Sequence, residues 1–386
     1  MEKHTKKVCI VTWFDSMNYG TCIQCYALTK YLSDQGYFVV VPESYRYYYG
    51  IQHPIETFSR LLNKINQRIN PPNVIIDEKE IDNNIRKGYI VRRKKNTEFA
   101  YRYNNIYKIT SKEDFLELIK TYDVFITGSD QIWNPGYVTP PYLLSFVKKQ
   151  NIKIAYGSSI GVEHIPRRLR STYRKYLLRF SKIGVRELTA KHELEDLLKR
   201  EIKAVLDPSF LLKKLEWSEV AIKTANETAN EPYIFCYFLG KNTEWIQKVK
   251  KFGEEQELKV YCALSESNII PDYGTILPSM GVQEFIYYLL NSSYVVTDSF
   301  HATALSINFN NPFAVYKRFV DGASGSQNSR IIDLLNEFGL ERCLVANDSN
   351  NLDFMLEDYN YTNVNNILEQ KRKSSIKFLI NAIEGI

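Results

Sequence analysis

The sequence predicts an α/β protein built from two doubly wound, Rossmann-like domains facing each other across a cleft. Three observations carry this. The chain opens with an apolar run, a helical stretch and a second apolar run, at Val8–Thr12, Thr21–Gln35 and Phe38–Val41. Two more apolar runs, 123–127 and 152–156, each end in a Gly/Ser-rich turn, GSDQIWNP (128–135) and GSSIG (157–161). A polar stretch at 221–232 then separates these from a second series of apolar runs at 233–238, 259–263, 294–297 and 313–316.

Taken in order, the elements follow from local chemistry. Ile23, Tyr26, Ala27, Tyr31 and Leu32 repeat at helical spacing, and Gly36 ends that helix. Pro42 stops the second strand, giving a βαβ unit with a right-handed crossover. Residues 44–115 read as a partly irregular to helical insertion. Within it, Arg86 to Lys108 holds eight Lys/Arg against the single acid Glu98, interleaved with tyrosines. Such a stretch is either a solvated helix face or a surface for anionic headgroups or a lipid-linked diphosphate. A helix is expected over 170–180, a strand over 182–186 with Arg186 at its exit, and another at 204–208. Helices are expected near 281–291 and 327–338, and Ser374–Ile383 carries the apolar pattern of a helix packing across the domain junction. The expected division is residues 1–180, 181–345 and a helical segment 346–386.

Composition narrows the function. The 386 residues are 44% hydrophobic, enough for two cores. A net charge of +6 is too modest to indicate a nucleic-acid partner. No run of 18 apolar residues occurs, and the N-terminal residues lack the apolar centre of a signal peptide, so a cytoplasmic protein is expected. The six cysteines, including the pair Cys22 and Cys25, form no disulfide or zinc framework. No His/carboxylate pair has ligand spacing, so no metal and no cofactor is expected.

Residues 293–305 are the most informative stretch. A short apolar strand (294–296) runs into Thr297, Asp298, Ser299 and His301, and then into a helix from Ala302. A helix start at the carboxyl end of a strand favours an anion, and His301 adds a side chain that exchanges protons near neutral pH. The competing reading is a capped helix with a buried histidine.

The order of the motifs adds to this. Asn18-Tyr19-Gly20 before a helix, GSDQIWNP (128–135), YGSSIG (156–161), VRE (185–187), LDPSFLL (206–212) and TDSFHATALSINFNNPF (297–313) together resemble the polysaccharide pyruvyl transferase family, over roughly residues 8–345. The resemblance implies a GT-B-like fold. It also implies an activity that moves the enolpyruvyl unit of phosphoenolpyruvate onto sugar hydroxyls of a capsular, exopolysaccharide or cell-wall glycan precursor, giving a ketal. Phosphoenolpyruvate is then a co-substrate, and the second partner is a glycan acceptor, free or lipid-linked, with peripheral contact at the inner membrane face as a further expectation. The N-terminal domain would hold the acceptor and the C-terminal domain the donor.

That chemistry assigns roles. His301 is the expected acid–base group, with Asp298 or Asp130 orienting it or taking the hydroxyl proton. Arg186 is the expected fork for the donor's anionic groups, a role the resemblance also gives it. Many family members carry an arginine where this chain has Ser299. Arg330, brought in by a loop at 322–327, is the candidate replacement, followed by Lys317 and Arg318. On the acceptor side, Asn18, Gly20, Ser129, Asn134 and Ser158 are expected at the cleft, with Trp133 as an apolar platform for a sugar ring. A GT-B glycosyltransferase using a nucleotide sugar is the main alternative, and a non-catalytic binding protein using the 86–108 face is the third.

Overall fold

In a computed structural model the described residues are 6–44, 83–223, 231–240, 243–265, 273–320, 326–345, 352–357 and 360–386. The first sheet has seven parallel strands in the order β3-β2-β1-β4-β5-β6-β7. They are β1 (Lys7–Val11), β2 (Phe38–Pro42), β3 (Ile106–Tyr107), β4 (Val124–Thr127), β5 (Ile152–Ser158), β6 (Lys182–Val185) and β7 (Lys203–Ala204). Helices α1 (Tyr19–Asp34), α2 (Asn83–Tyr103), α3 (Lys112–Thr121), α4 (Arg167–Leu177) and α5 (Leu188–Leu198) connect them. A short helix α6 (Lys214–Val220) leads to the second sheet, six parallel strands in the order β10-β9-β8-β11-β12-β13. These are β8 (Tyr233–Tyr237), β9 (Lys259–Ala263), β10 (Thr275–Leu277), β11 (Tyr294–Thr297), β12 (Phe313–Tyr316) and β13 (Leu344–Val345). With them run α7 (Thr243–Glu255), α8 (Val282–Asn291), α9 (Phe300–Phe309), α10 (Ser329–Phe338) and the final α11 (Tyr361–Glu384).

Two doubly wound α/β domains are therefore present, built on strands at the apolar runs of the sequence. In each sheet the strand order reverses beside the first strand, between β1 and β4 and between β8 and β11. These switch points leave crevices at the carboxyl ends of the strands, where ligands bind in open α/β sheets.

The boundary expected at residue 180 is displaced. β6 and β7 pair parallel to β5 in the first sheet, so Arg186 leaves a strand of the first domain rather than opening the second. The strands at this edge are short, and their apolar content carries no mark of which sheet they join. The expected strand at 204–208 shrinks to Lys203–Ala204. Of the insertion, 45–82 lies outside the described residues. The remainder gives the long helix α2, the two-residue edge strand β3, and α3, whose Ser111 and Asp114 form a capping box.

The domains share apolar packing. One cluster joins Tyr19, Cys22, Ile23 and Tyr26 of α1 to Phe285 and Leu289 of α8 and to Leu305 of α9. Tyr19 stacks on Phe285 with centroids 4.2 Å apart and donates its hydroxyl to the Met280 carbonyl at 2.9 Å. Helix α9 is buried at every position, as expected of a helix held on all sides. Helix α11 reaches across both cores. Its Val364 and Leu368 join the shared cluster, whereas Leu379, Ala382 and Ile383 pack on Val8, Ile10 and Val39 of the first sheet. Midway, Arg372 donates to the Phe210 carbonyl and to Asn308 Oδ1. Among the described residues no helix is long and apolar enough to cross a membrane.

Candidate active site

Strand exits from the first sheet and one helix start from the second converge at the switch points. Asn18 caps α1, its side chain accepting from the Gly20 amide at 2.9 Å. Gly20 follows at the first turn, against the ring of His301. A Cβ built on Gly20 would sit 2.1 Å from His301 Nδ1, so only glycine lets the histidine rest on this helix. Opposite, Ser299 caps α9 by accepting from the Ala302 amide at 3.5 Å, and His301 lies in the first turn.

The far side of the His301 ring faces two opposite charges. Nε2 is 3.5 Å from Arg186 Nη1 and 3.7 Å from Asp207 Oδ2. When neutral at Nε2 the ring accepts from the guanidinium, and when protonated it turns a charge toward the carboxylate. Burial, reinforced by Arg186 and Arg330, holds the His301 pKa below its ordinary value against the pull of Asp207 and Asp130. Asp207 is buried too, yet His301 when protonated and the Arg186 charge, with the Ser209 amide and the Ser129 hydroxyl, lower it to about 2. The carboxylate beside the histidine is therefore ionised, and it comes from the LDP motif, where Pro208 reads only as a strand stop. Sequence reasoning assigned Asp207 no role; a carboxylate leaving a strand was the available signal.

Arg186 does not present an open fork. Its Nε donates to Glu187 Oε1 at 3.0 Å, Nη1 to Asp207 Oδ2 at 2.9 Å and Nη2 to Asp130 Oδ1 at 3.3 Å. Its guanidinium carbon lies 4.3 Å from the centre of the Phe300 ring. All three nitrogens lie on protein carboxylates and the side chain is buried, so a contact with a donor's anions would have to use the second N–H of Nη1 or Nη2. Arg186 orders Asp130, Asp207 and His301. Glu187 is pushed upward by burial, more than the neighbouring Arg186 charge lowers it.

Among the described residues, Arg330 is hydrogen-bonded to amide oxygens and to no carboxylate. It is buried in the first turn of α10 and donates from Nη2 to Gln327 Oε1 at 2.7 Å. The Gln131 oxygen lies 3.0 and 3.2 Å from Nη1 and Nη2 in the amide orientation that satisfies both groups. Its Nε is buried and, among the described residues, has no hydrogen-bond partner. Burial and the neighbouring Arg186 lower its pKa to about 9, so an incoming anion would relieve both penalties. Residues 321–325 of the loop leading to it lie outside the described residues.

Other expected residues are placed differently. Asp298 is buried and accepts from the Leu239 and Gly240 amides, both at 2.7 Å, and from Arg318 Nε at 2.9 Å. Its carboxylate anchors the 239–240 turn and none of these bonds reaches His301; the carboxylate beside the His301 ring is that of Asp207. Asp130 adopts a left-handed backbone (φ 68°) and accepts from Thr21 Oγ1 at 3.2 Å as well as from Arg186. Burial would raise its pKa, but Arg186, His301 and Arg330 together lower it. Lys317 is half-buried at the exit of β12.

Trp133 is not a sugar platform. It is fully buried in the core of the first domain, packs edge-on against Phe180 and donates Nε1–H to the Tyr142 carbonyl at 2.9 Å. Asn134 braces its own turn by accepting from the Gly136 amide. Ser158 donates to the Thr127 carbonyl at 3.0 Å, tying β5 to β4. Ser129 is closer to the chemistry: its single hydroxyl proton lies between the Gly157 carbonyl at 2.9 Å and Asp207 Oδ2 at 2.8 Å. Among the described residues no cluster of His, Cys, Asp and Glu could hold a metal, and the cysteines are all free and buried.

Comparison with known proteins adds the following. A candidate UDP-N-acetylglucosamine 2-epimerase from Listeria monocytogenes superposes with a TM-score of 0.50 at 10% identity, covering 99% of this chain and 98% of that one. The UDP-GlcNAc 2-epimerase of Neisseria meningitidis, solved with UDP-GlcNAc, gives 0.49 at 9% identity over 98% and 100% of the two chains. MurG of Acinetobacter baumannii gives 0.41 at 9% identity over 99% and 100%. The first of these supports a GT-B-like fold and nothing about activity. No curated protein sequence matches the chain. The profile of the polysaccharide pyruvyl transferase family, in contrast, matches residues 18–318, from the cap of α1 past the His301 turn to Arg318. The chain belongs to the polysaccharide pyruvyl transferase family.

Proposed function

We propose that the protein transfers the pyruvyl group of phosphoenolpyruvate to two hydroxyls of one sugar in a capsular, exopolysaccharide or cell-wall glycan precursor, forming a pyruvate ketal. The observation that supports this most is the position of His301 Nε2, between the guanidinium of Arg186 and the ionised Asp207. In the free protein burial disfavours the protonated form of His301. Phosphate and carboxylate groups of a bound donor would add negative charge beside the ring and favour its protonated form. Protonated His301 then delivers its proton to the donor's methylene carbon, and a sugar hydroxyl bonds to the neighbouring carbon, giving up its proton to His301. The second hydroxyl bonds to the same carbon as the C–O bond to phosphate breaks, its proton leaving with the phosphate. Arg330, whose Nε has no partner among the described residues, is the cation we assign to the donor's anionic groups.

A lipid-linked acceptor and contact with the inner membrane face fit the outward side of α2. Arg86, Lys87, Arg93, Lys94 and Arg102 are exposed there around Ile90 and Val91, with Glu98 as the one acid of that face.

The test is phosphate release from phosphoenolpyruvate against a panel of lipid-linked oligosaccharides, with the product weighed by mass spectrometry. Phosphate and ketal should form in equal amounts. Consumption of a nucleotide sugar with phosphoenolpyruvate untouched would instead support glycosyl transfer on the same fold.

A further inference from the structure

A cavity of about 270 Å³ opens at the carboxyl end of β1, lined by Trp13, Asp15, Thr21, Glu43 and Tyr142 among others. It adjoins the chemistry directly. Thr21 in its wall donates to Asp130 Oδ2, and the preceding residue, Gly20, lies against His301. Trp13 is half-buried, unlike Trp133, and its ring is held edge-on by Tyr137 and Tyr142 at centroid distances of 6.2 and 6.0 Å. A ring held in this way offers apolar surface at little cost in conformational entropy.

The polar groups of the cavity are two carboxylates, Asp15 and Glu43, beside the hydroxyls of Thr12, Ser16, Thr21 and Tyr142. Asp15 is already paired, taking Arg93 Nη2 and Thr97 Oγ1 at 3.0 Å each. Glu43 accepts from Tyr101 Oη at 2.7 Å and, among the described residues, has no cationic partner. A sugar hydroxyl donating to a carboxylate makes a charge-assisted bond, whereas a sugar carboxylate would meet like charge.

From these observations we infer that the cavity is a subsite for an uncharged sugar, with Trp13 as its apolar platform and Glu43 as the group that accepts its hydroxyls and rejects uronic acids. Calling that sugar the acceptor rests on the pyruvyl-transfer reading; the presence of a sugar subsite does not. At about 270 Å³ the cavity lies just under the usual range of small-molecule pockets, a size for one small ring rather than an oligosaccharide. Its floor, through Thr21 and Asp130, leads to Arg186 and the His301 ring.

Saturation-transfer NMR with methyl glucoside, methyl galactoside, methyl N-acetylglucosaminide and methyl glucuronide tests this on the whole protein. A neutral glycoside should bind and receive most of its saturation at ring C–H protons, and the glucuronide should not bind. Trp13→Ala should weaken the neutral glycoside roughly tenfold, and Glu43→Gln should admit the glucuronide, with phosphoenolpyruvate affinity unchanged in both. Three results would overturn the inference: no glycoside binds, the glucuronide binds the wild-type protein as well as the glucoside, or both variants behave as wild type. If Trp13→Ala does not fold, the glucuronide result in Glu43→Gln decides alone. Loss of phosphoenolpyruvate use with glycoside binding intact would remove only the pyruvyl-transfer reading.

Discussion

Gly20→Ala is the most exacting perturbation, because the contact it disturbs is the one that seats the histidine. The added Cβ would stand 2.1 Å from His301 Nδ1, 2.6 Å from Cγ and 2.8 Å from Cε1. To regain an ordinary contact of about 3.5 Å, ring and helix must separate by roughly 1.4 Å. Nε2 can then no longer keep its 3.5 Å approach to Arg186 and its 3.7 Å approach to Asp207 together. A displacement of about 1 Å at a reacting group costs on the order of 10² in rate, so turnover should fall by about that factor. Stability responds differently. Alanine gains about 0.5–1 kcal/mol over glycine within a helix, and overpacking costs about 1–3 kcal/mol. The variant should therefore stay folded, with a net loss no larger than about 2.5 kcal/mol. The assay pairs phosphate release at saturating donor with a thermal melt. Wild-type turnover in Gly20→Ala would refute the reasoning, since it would mean that the ring's seat on α1 does not matter.

Three other substitutions separate the site from its scaffold. Trp133→Ala should cost about 3–5 kcal/mol by emptying a buried site, seen as a lower Tm, and should leave glycoside affinity in the surviving folded fraction unchanged. Asp207→Asn removes the charge that favours protonated His301, so turnover should fall at least about tenfold and the alkaline limb of the rate profile should move to lower pH; an unmoved limb would clear Asp207 of this role. Without ligand, the depressed His301 pKa means that the unfolded chain binds more protons than the folded one below about pH 6.5, so stability falls as pH drops through that window. His301→Gln should flatten this part of the Tm–pH curve, and a curve parallel to wild type would contradict the burial argument.

How much was legible in the sequence depended on whether the signal was local. Strand runs such as Phe38–Val41 and Tyr294–Thr297 announce themselves by apolar content, and the Gly/Ser turns mark strand exits, so the two-domain architecture could be read directly. Sheet membership could not. β6 and β7 join the first domain because β5 offers them an edge, a fact absent from residues 182–204 themselves. The edge strands β3, β10 and β13 have two or three residues each, too few to show a period. The helix start at His301 was visible as strand, polar turn and helix. The partners of its charged groups were not, because Arg186, Asp207 and His301 meet only after both domains have formed. Trp133 and Trp13 show the same limit: each follows an apolar run, but one is enclosed by Phe180 and the Tyr142 carbonyl and the other lines a cavity. Asp298, next to the histidine turn in sequence, is drawn instead to the 239–240 amides and Arg318.

Calorimetry of phosphoenolpyruvate binding, in buffers of different ionisation enthalpy at neutral pH, tests most directly whether the donor charges His301. Burial lowers the imidazole's pKa in the free protein and the donor's anionic groups would favour its protonated form, so the wild-type protein should take up more protons on binding than His301→Ala. The difference should approach about one proton per site. Equal proton uptake by the two proteins, or no binding of phosphoenolpyruvate at all, would contradict it.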